Sequence, residues 1–370
     1  MDLLINGKTT MDDLLNRVGI KLQLNKTRVE KVETSYKAVG DYLMEDSSIT
    51  NGSDTKIYPQ GSYAIETTVK PIDNGEYDLD FVFKIKQVWN SNMNAEELLR
   101  KLAERLNSNG LYKGKVILKN RCVRINYDDD FHMDILPAYP IDSIESEYLK
   151  IPDRKLGDWV DTSPKLYADW FNDITVQYEQ KLFEAKAEQE ELPTPKPYDS
   201  KPPLKIAIQL IKRYRDNYFK DKEESLVTPS IIITTLAAYG YKKQSSEFQT
   251  LQDTVNYIMD KIKNSYGIIV VENPQNTDER FSDKLEKHPA MYSEFKSFIY
   301  SLHGKLEILK NCKDTTEVYK TLYEMFGENV VSSAIFEQAD YIKNRDNKSG
   351  NIITRTTSDK PIEKNTFFGD

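Results

Sequence analysis

Cysteine and histidine are scarce in this 370-residue chain, which holds two of the first, Cys122 and Cys312, and three of the second, His132, His288 and His303. They lie too far apart to match the ligand spacings of zinc fingers or ribbons, so no structural zinc site is expected. Long apolar runs are missing too. The most apolar stretch, near Ile231 to Ala238, is about half of what a bilayer span requires, and the opening MDLLINGKTTMDD has early acids and no apolar signal segment. A reduced, soluble, cytoplasmic protein is the expectation. An excess of positive charge is the third absence. There are 51 basic against 59 acidic side chains, a net of -8, so no broad positive field gathers nucleic acid or an anionic bilayer. Neither duplex DNA nor a membrane is an expected partner. What remains, 39% apolar and 30% charged with 15 Gly and 15 Pro scattered, describes a globular chain long enough for about two domains.

Periodicity divides the chain. Val29, Val32, Tyr36, Val39 and Leu43 recur at steps of three and four, which predicts a packing helix between Thr27 and Asp46. Lys56–Pro59 and Tyr77–Lys86 read as strands. Asn94–Asn109 reads as an amphipathic helix with Asn94 as cap, Gly110 as stop and Leu98, Leu99, Leu102 and Leu106 on its buried face. Short strands follow at Lys113–Leu118, Val123–Tyr127 and Phe131–Leu136, the last two joined by an Asp128-Asp129-Asp130 turn. Pro164 opens a long polar helix running through Glu179–Glu191 and closed by LPTPKP. From Pro203 the pattern is helical: Leu204–Tyr218, Pro229–Tyr241, Glu247–Tyr266, Ala290–Asn311 and Thr315–Phe326, with a strand only at Ile268–Val271. The expected organisation is a catalytic core with N-terminal helices over 1–150, a helical connector over 151–202, a helical lobe over 203–340 and a mobile tail over 341–370.

The stretch Gln60-Gly61-Ser62-Tyr63 is followed, sixteen residues after Ser62, by Asp78-Leu79-Asp80 at the start of an apolar strand. Alternation along a strand sends Asp78 and Asp80 to one face and Leu79 and Phe81 to the other. Two carboxylates sharing one spot repel each other unless a cation sits between them, and hard oxygen ligands suit magnesium, or manganese in its place. Gly61 lets backbone amides approach a phosphate, and Ser62 at a helix start adds a hydroxyl. A third acid, to hold a second metal and accept a proton from an attacking hydroxyl, is supplied by Asp134 in the apolar strand HMDILP. Taken singly, each has a plainer explanation: edge-strand charges for Asp78 and Asp80, a cap for Ser62, a hairpin end for Asp134. Their joint occurrence favours the site. His132, a lone histidine beside a carboxylate, reads as a packed residue and is left out of it.

GSY, then YDLD, then HMDILPA resembles the polymerase-β-type nucleotidyltransferases, in their bacterial branch of cGAS/DncV-like enzymes (CD-NTases, the SMODS-type cyclic oligonucleotide synthases). The segments LKIAIQLIKRYRDNYF, TPSIIITTLAAYGY and VENPQNTDERFSDK are similar to three segments of the same enzymes in the same order, so the resemblance covers roughly Thr27 to Ala339. It implies a two-lobed α+β enzyme, with an N-terminal mixed-sheet lobe, a C-terminal helical lobe and the active site between them. It also implies a magnesium-dependent synthesis of cyclic di- or trinucleotides from nucleoside triphosphates, releasing pyrophosphate, in anti-phage signalling through a downstream effector. Residue by residue, Asp78, Asp80 and Asp134 match the metal-binding triad, and Gly61 with Ser62, flanked by Gln60, match the phosphate loop. Lys212 and Ser230 resemble positions that hold the donor triphosphate. Lys205, Gln209, Lys212 and Asp216 recur on one polar stripe, where Lys212 also reads as a solvated lysine, as Ser230 reads as a cap. The segment from Asn273 to Asp283 either lines the base pockets or braces the lobes. The tail from Asn347 to Asp370 carries Phe367 and Phe368 near its tip, next to Gly369, and many relatives are encoded with a ubiquitin-transfer-like protein acting on their C-terminus, so the resemblance implies such a partner here. The animal members carry a zinc insertion and basic surfaces for sensing DNA, and this chain departs from them in lacking both the Cys/His spacing and a net positive charge. Two other readings compete: transfer of a nucleotide to RNA or protein, and a catalytically silent scaffold that senses a nucleotide.

Overall fold

The computed structural model describes residues 10–45, 47–50, 52–72, 75–127, 131–175 and 201–349. Helices α1 (Thr10–Lys21), α2 (Lys26–Met44) and the short α3 (Ser47–Thr50) come first. A sheet region follows, in the order β1 (Thr55–Pro59), the one-turn α4 (Gly61–Ala64), β2 (Tyr77–Ile85), α5 (Ala95–Ser108), β3 (Val116–Leu118), β4 (Val123–Tyr127), β5 (Phe131–Pro140), β6 (Leu149–Asp153), β7 (Asp158–Thr162) and α6 (Pro164–Thr175). The remaining described residues are mainly helical, with one hairpin among them: α7 (Pro203–Phe219), α8 (Ser230–Gly240), α9 (Glu247–Lys263), β8 (Glu272–Asn273), β9 (Asn276–Arg280), α10 (Asp283–Lys287), α11 (Pro289–Asn311), α12 (Thr315–Phe326) and α13 (Glu328–Ser349).

The large sheet runs β1-β2-β5-β4-β3, with β6 on β5 and β7 on β6. Among the described residues its one parallel pair is β2 with β5, which needs a crossover, and α5 with β3 and β4 supplies it. In β2 the alternation is plain. Leu79, Phe81 and Phe83 are fully buried in one core with Val32, Tyr36, Val39 and Leu43 of α2 and Leu98, Leu99, Leu102 and Leu106 of α5. Phe81 stacks on Tyr36 at 4.8 Å between ring centroids, and the Tyr36 hydroxyl donates to the Ile57 carbonyl at 2.9 Å. Each such side chain stabilises the fold by roughly 1.5–3 kcal/mol. Asn94 caps α5 by accepting from the Glu97 N–H, and the helix ends at Ser108 with Asn109 as its C-cap, just ahead of Gly110. Packing α2 and α5 on this face leaves Asp78 and Asp80 on the other.

A mixed sheet beside a helical lobe is the α+β, two-lobed architecture expected from the resemblance, but the lobes divide differently from the sequence reading at both ends. Helix α1 packs with the second lobe: Leu14, Leu15, Val18 and Leu22 share its core with Ile206, Leu210, Leu251 and Val331. A polar joint fixes it, since Asp12 accepts from the Ser246 hydroxyl and the Phe248 N–H at the start of α9. The span read as a helical connector begins with strands β6 and β7, because Leu149 and Ile151 close a small core with Val82 and Leu136. The helix from Pro164 is present to Thr175, and its expected continuation lies outside the described residues. A strand expected at Ile268–Val271 is displaced to the β8–β9 hairpin, and α13 extends to Ser349 where a tail was expected from 341.

The hairpin braces the lobes. Glu279 accepts from the Thr162 hydroxyl at 2.7 Å, the buried Ser163 N–H at 3.1 Å and the Asn273 side-chain amide at 2.8 Å. The Tyr148 hydroxyl donates to the Gln275 carbonyl at 3.2 Å. Glu279→Ala strands the Ser163 N–H in a fully buried position, at a cost of about 1–3 kcal/mol. Calorimetry is expected to show a melting point a few degrees lower. An unchanged melting point contradicts the bracing role.

Candidate active site

A cleft of about 470 Å³ opens between the sheet and the helical lobe. Gly61, Ser62, Asp78, Asp80, Arg124 and Asp134 line it from the first lobe, and Lys212, Asp216 and Ser230 from the second. Seven of the eight site residues expected from the sequence are therefore brought together. Gln60 is the exception, contributing backbone only: its N–H donates to the Asp80 carbonyl at 2.8 Å, tying the loop to β2. A hollow of about 580 Å³ behind the hairpin, lined by Tyr239, Tyr257 and Lys261, holds none of the eight.

The three acids meet because β2 and β5 are parallel and in register, Asp78 opposite His132 and Asp80 opposite Asp134. Gly61 lies directly above them with φ +60°, and a Cβ there would sit 2.8 Å from Asp80 Oδ2. Both the left-handed backbone and the close approach require glycine. Ser62, the second residue of α4, has its hydroxyl 3.2 Å from that of Thr68. Burial first, then the neighbouring Asp134 and Asp78 carboxylates, push Asp80 up to about 7, against the opposing pull of Arg124 and Lys212.

The sequence reading missed Arg124, which stands opposite Asp134 on β4. Its Nε and Nη2 donate to the two Asp134 oxygens at 2.7 and 2.8 Å, and Nη2 also donates to Asp78 Oδ1 at 3.0 Å. The available signal was a single arginine among the apolar and neutral residues of VRINY, on the strand antiparallel to Asp134. Glu76 was missed as well. It lines the cleft next to Asp78 and pairs with His132 Nε2 at 2.5 Å, which accounts for a histidine on that strand. Cys122 lies beside the acids, and burial raises its pKa, so it is a neutral thiol there.

Lys212 is not solvated. It is 5% exposed, and its Nζ donates to the Thr67 hydroxyl at 2.9 Å and carbonyl at 3.2 Å. Burial, aided by Arg215, lowers its pKa to about 7 against the pull of Asp216 and Asp80. The rest of the stripe does similar work: Lys205 pairs with Glu66 at 3.1 Å, and Gln209 donates to the Thr68 carbonyl at 2.8 Å. One face of α7 thus clasps the segment that follows the GS turn. Asp216 pairs with its neighbour Arg215 at 2.7 Å. Ser230 is the first residue of α8, whose start has no side-chain cap, and it lines the cleft without a capping role.

As they stand, no three His, Cys, Asp or Glu side chains among the described residues are drawn tightly around a metal position. The donor set still fits a hard dication. Three carboxylates converge on adjacent strands, burial and then the other two carboxylates raise the Asp80 pKa, and a cationic group, the Arg124 guanidinium, already bridges two of them.

An acid cluster that calls for a cation, facing a glycine turn with room for a triphosphate, places the chain among the nucleotidyltransferases of polymerase β type. Residues 9–174 match the Second Messenger Oligonucleotide or Dinucleotide Synthetase (SMODS) domain. The chain is 35% identical over 379 residues to a c-di-GMP synthase of Roseivirga ehrenbergii, covering 99% of both chains. It is 27% identical to the cyclic dinucleotide synthase CdnG of Bradyrhizobium diazoefficiens, over 88% of this chain and 82% of that one. A solved structure of the B. diazoefficiens CD-NTase CdnG in complex with GTP superposes with a TM-score of 0.72 at 26% identity, over 89% of this chain and 98% of the other. The chain belongs to the cGAS/DncV-like nucleotidyltransferases, and it is a nucleotidyltransferase of their cyclic oligonucleotide synthase kind. Among the described residues no helix is long and apolar enough to cross a membrane.

The two shifted groups give the metal-free protein a pH signature. The folded state holds the Asp80 proton to about 7 while the unfolded chain releases it near 3.8, so this term removes stability as pH rises through that window. Lys212 acts oppositely: the unfolded chain keeps its proton to 10.5 and the folded state loses it near 7, so stability returns above neutrality. In EDTA, urea melts of Asp80→Asn against wild type are expected to show the variant gaining on wild type between pH 4 and 7, by on the order of a few kcal/mol. Parallel stability curves contradict the assignment.

Proposed function

We propose that the enzyme joins two GTP into cyclic di-GMP with magnesium as its metal, manganese serving in its place. The observation that carries this reading is the convergence of Asp78, Asp80 and Asp134 on the GS turn, in a chain that aligns over 99% of its length with a c-di-GMP synthase. Asp78, Asp80 and Asp134 would hold the metal, which when bound would supply charge neutralisation for the triphosphate and for the oxygens of an in-line displacement. The N–H groups of the Gly61–Ser62 turn cradle the donor triphosphate from one side, with Lys212 and Ser230 on the other wall. Asp134 accepts the proton of the acceptor ribose hydroxyl. That oxygen bonds to the donor α-phosphorus, the bond from the α-phosphorus to the bridging oxygen breaks, and pyrophosphate leaves. Repeating the step within the linear intermediate closes the ring and releases a second pyrophosphate.

The family also supports a cytoplasmic enzyme whose product acts on a downstream effector in anti-phage signalling. A ubiquitin-transfer-like partner acting on the C-terminus is part of the same proposal. Phe367 and Phe368, on which it depends, lie outside the described residues.

Purified enzyme incubated with each triphosphate and with all four is expected to yield a phosphatase-resistant cyclic di-GMP, identified by mass spectrometry and lost in EDTA. Asp134→Asn, with matched circular dichroism, is expected to lose at least roughly a hundredfold in rate. A ring containing other bases overturns the GTP assignment, label appearing only on RNA or protein overturns the cyclisation, and near-normal turnover of the variant overturns the role of Asp134.

A further inference from the structure

We propose that Arg124 is a placeholder cation: it neutralises the acid cluster until a divalent metal replaces it, and it fixes the order in which the carboxylates are freed. The inference rests on Asp78, Asp80 and Asp134 being metal ligands.

The observation is the asymmetry of the bridge. Asp78 receives one hydrogen bond from Arg124, at 3.0 Å, and its side chain is 64% exposed, so water replaces that bond readily. Asp134 receives two, at 2.7 and 2.8 Å, and is 14% exposed. This is a bidentate, charge-assisted pair shielded from solvent, and so the stronger of the two. A cation settling between Asp78 and Asp80 has to open only the single bond. One that also uses Asp134 has to break the bidentate pair. The first position is therefore loaded more easily than the second, and Asp134 is the last acid to become free.

Arginine suits this task in ways lysine does not. Its planar fork spans two carboxylates at once, and it stays charged throughout the working pH range. Without a bridging cation, three carboxylates face each other in a half-buried cleft, an arrangement electrostatics opposes. With it, the protein holds the acids close together before any metal arrives, at the expense of metal affinity, because the guanidinium and the dication compete for the same oxygens. Displacement also leaves the arginine with somewhere to go. Arg124 shares the cleft wall with Gly61 and Ser62, where a triphosphate brings new anionic oxygens. Substrate and metal together therefore displace the bridge more effectively than metal alone.

The test is a manganese titration of the nucleotide-free full-length chain, stripped with EDTA and desalted, with free Mn2+ read by electron paramagnetic resonance. Wild type, Arg124→Gln, Arg124→Lys and Asp80→Asn are compared. Arg124→Gln is expected to bind Mn2+ at least about tenfold more tightly than wild type, the scale of one lost charge-assisted competitor, with Arg124→Lys in between. Its melting point is expected to fall below wild type in EDTA and to rise further on adding Mn2+, a crossover that a merely structural arginine does not produce. If Arg124→Gln fails to fold, tighter binding by Arg124→Lys than by wild type decides the matter. Affinity in the folded Arg124 variants equal to or weaker than wild type overturns the placeholder while leaving the metal reading intact. Binding that is no better in any of these proteins than in Asp80→Asn overturns both.

Discussion

Like-charge repulsion among Asp78, Asp80 and Asp134 is the constraint on which the rest of this structure turns. The parallel pairing of β2 with β5 forces Asp80 and Asp134 into register, and the two-residue alternation adds Asp78. Side chains that repel are held together because their backbones carry the most buried strands of the sheet, with Leu79, Phe81, Met133 and Ile135 fully buried on the opposite face. Apolar burial thus fixes a geometry that electrostatics opposes. Burial and, after it, the neighbouring carboxylates raise Asp80 to about 7, and the Arg124 guanidinium bridges Asp78 and Asp134. A site under that strain has a use for a dication, and a dication there has a use for a triphosphate.

The second lobe serves the same cluster indirectly. The polar face of α7 grips residues 66–68, immediately after the GS turn, through Lys205, Gln209 and Lys212. The helix that presents Lys212 to the cleft therefore also holds the segment behind the turn that faces it. The β8–β9 hairpin closes the other end through Glu279, so the lobes are tied on both sides of the cleft.

Much of this was legible in the sequence, for physical reasons that can be named. The pattern D-L-D in an apolar strand encodes a shared face, and a glycine beside a serine encodes a turn that tolerates close approach. Helices with one apolar stripe, such as α5 and α7, declared themselves by period. What was hidden depended on contacts distant in the chain. Arg124 gains its meaning only from a cross-strand register, Lys212 looks solvated until Thr67 is placed against it, and α1 joins the second lobe because its stripe of Leu14, Leu15 and Val18 meets Ile206 and Leu210 far along the chain. The β8–β9 hairpin was misplaced because its residues, E-N and N-T-D-E-R, lack the apolar alternation that marks a strand; Glu279 and Asn273 hold it in position instead.

The central claim is that the acid cluster exists to hold divalent metal against a nucleoside triphosphate. It is tested most directly by a crystal structure with a non-hydrolysable GTP analogue and manganese, located by anomalous scattering. The account predicts manganese coordinated by Asp78, Asp80 and Asp134, the triphosphate against the Gly61–Ser62 turn, and Arg124 withdrawn from Asp78. Nucleotide bound in the cleft with no manganese at the acids, and Arg124 still bridging Asp78 and Asp134, would contradict it.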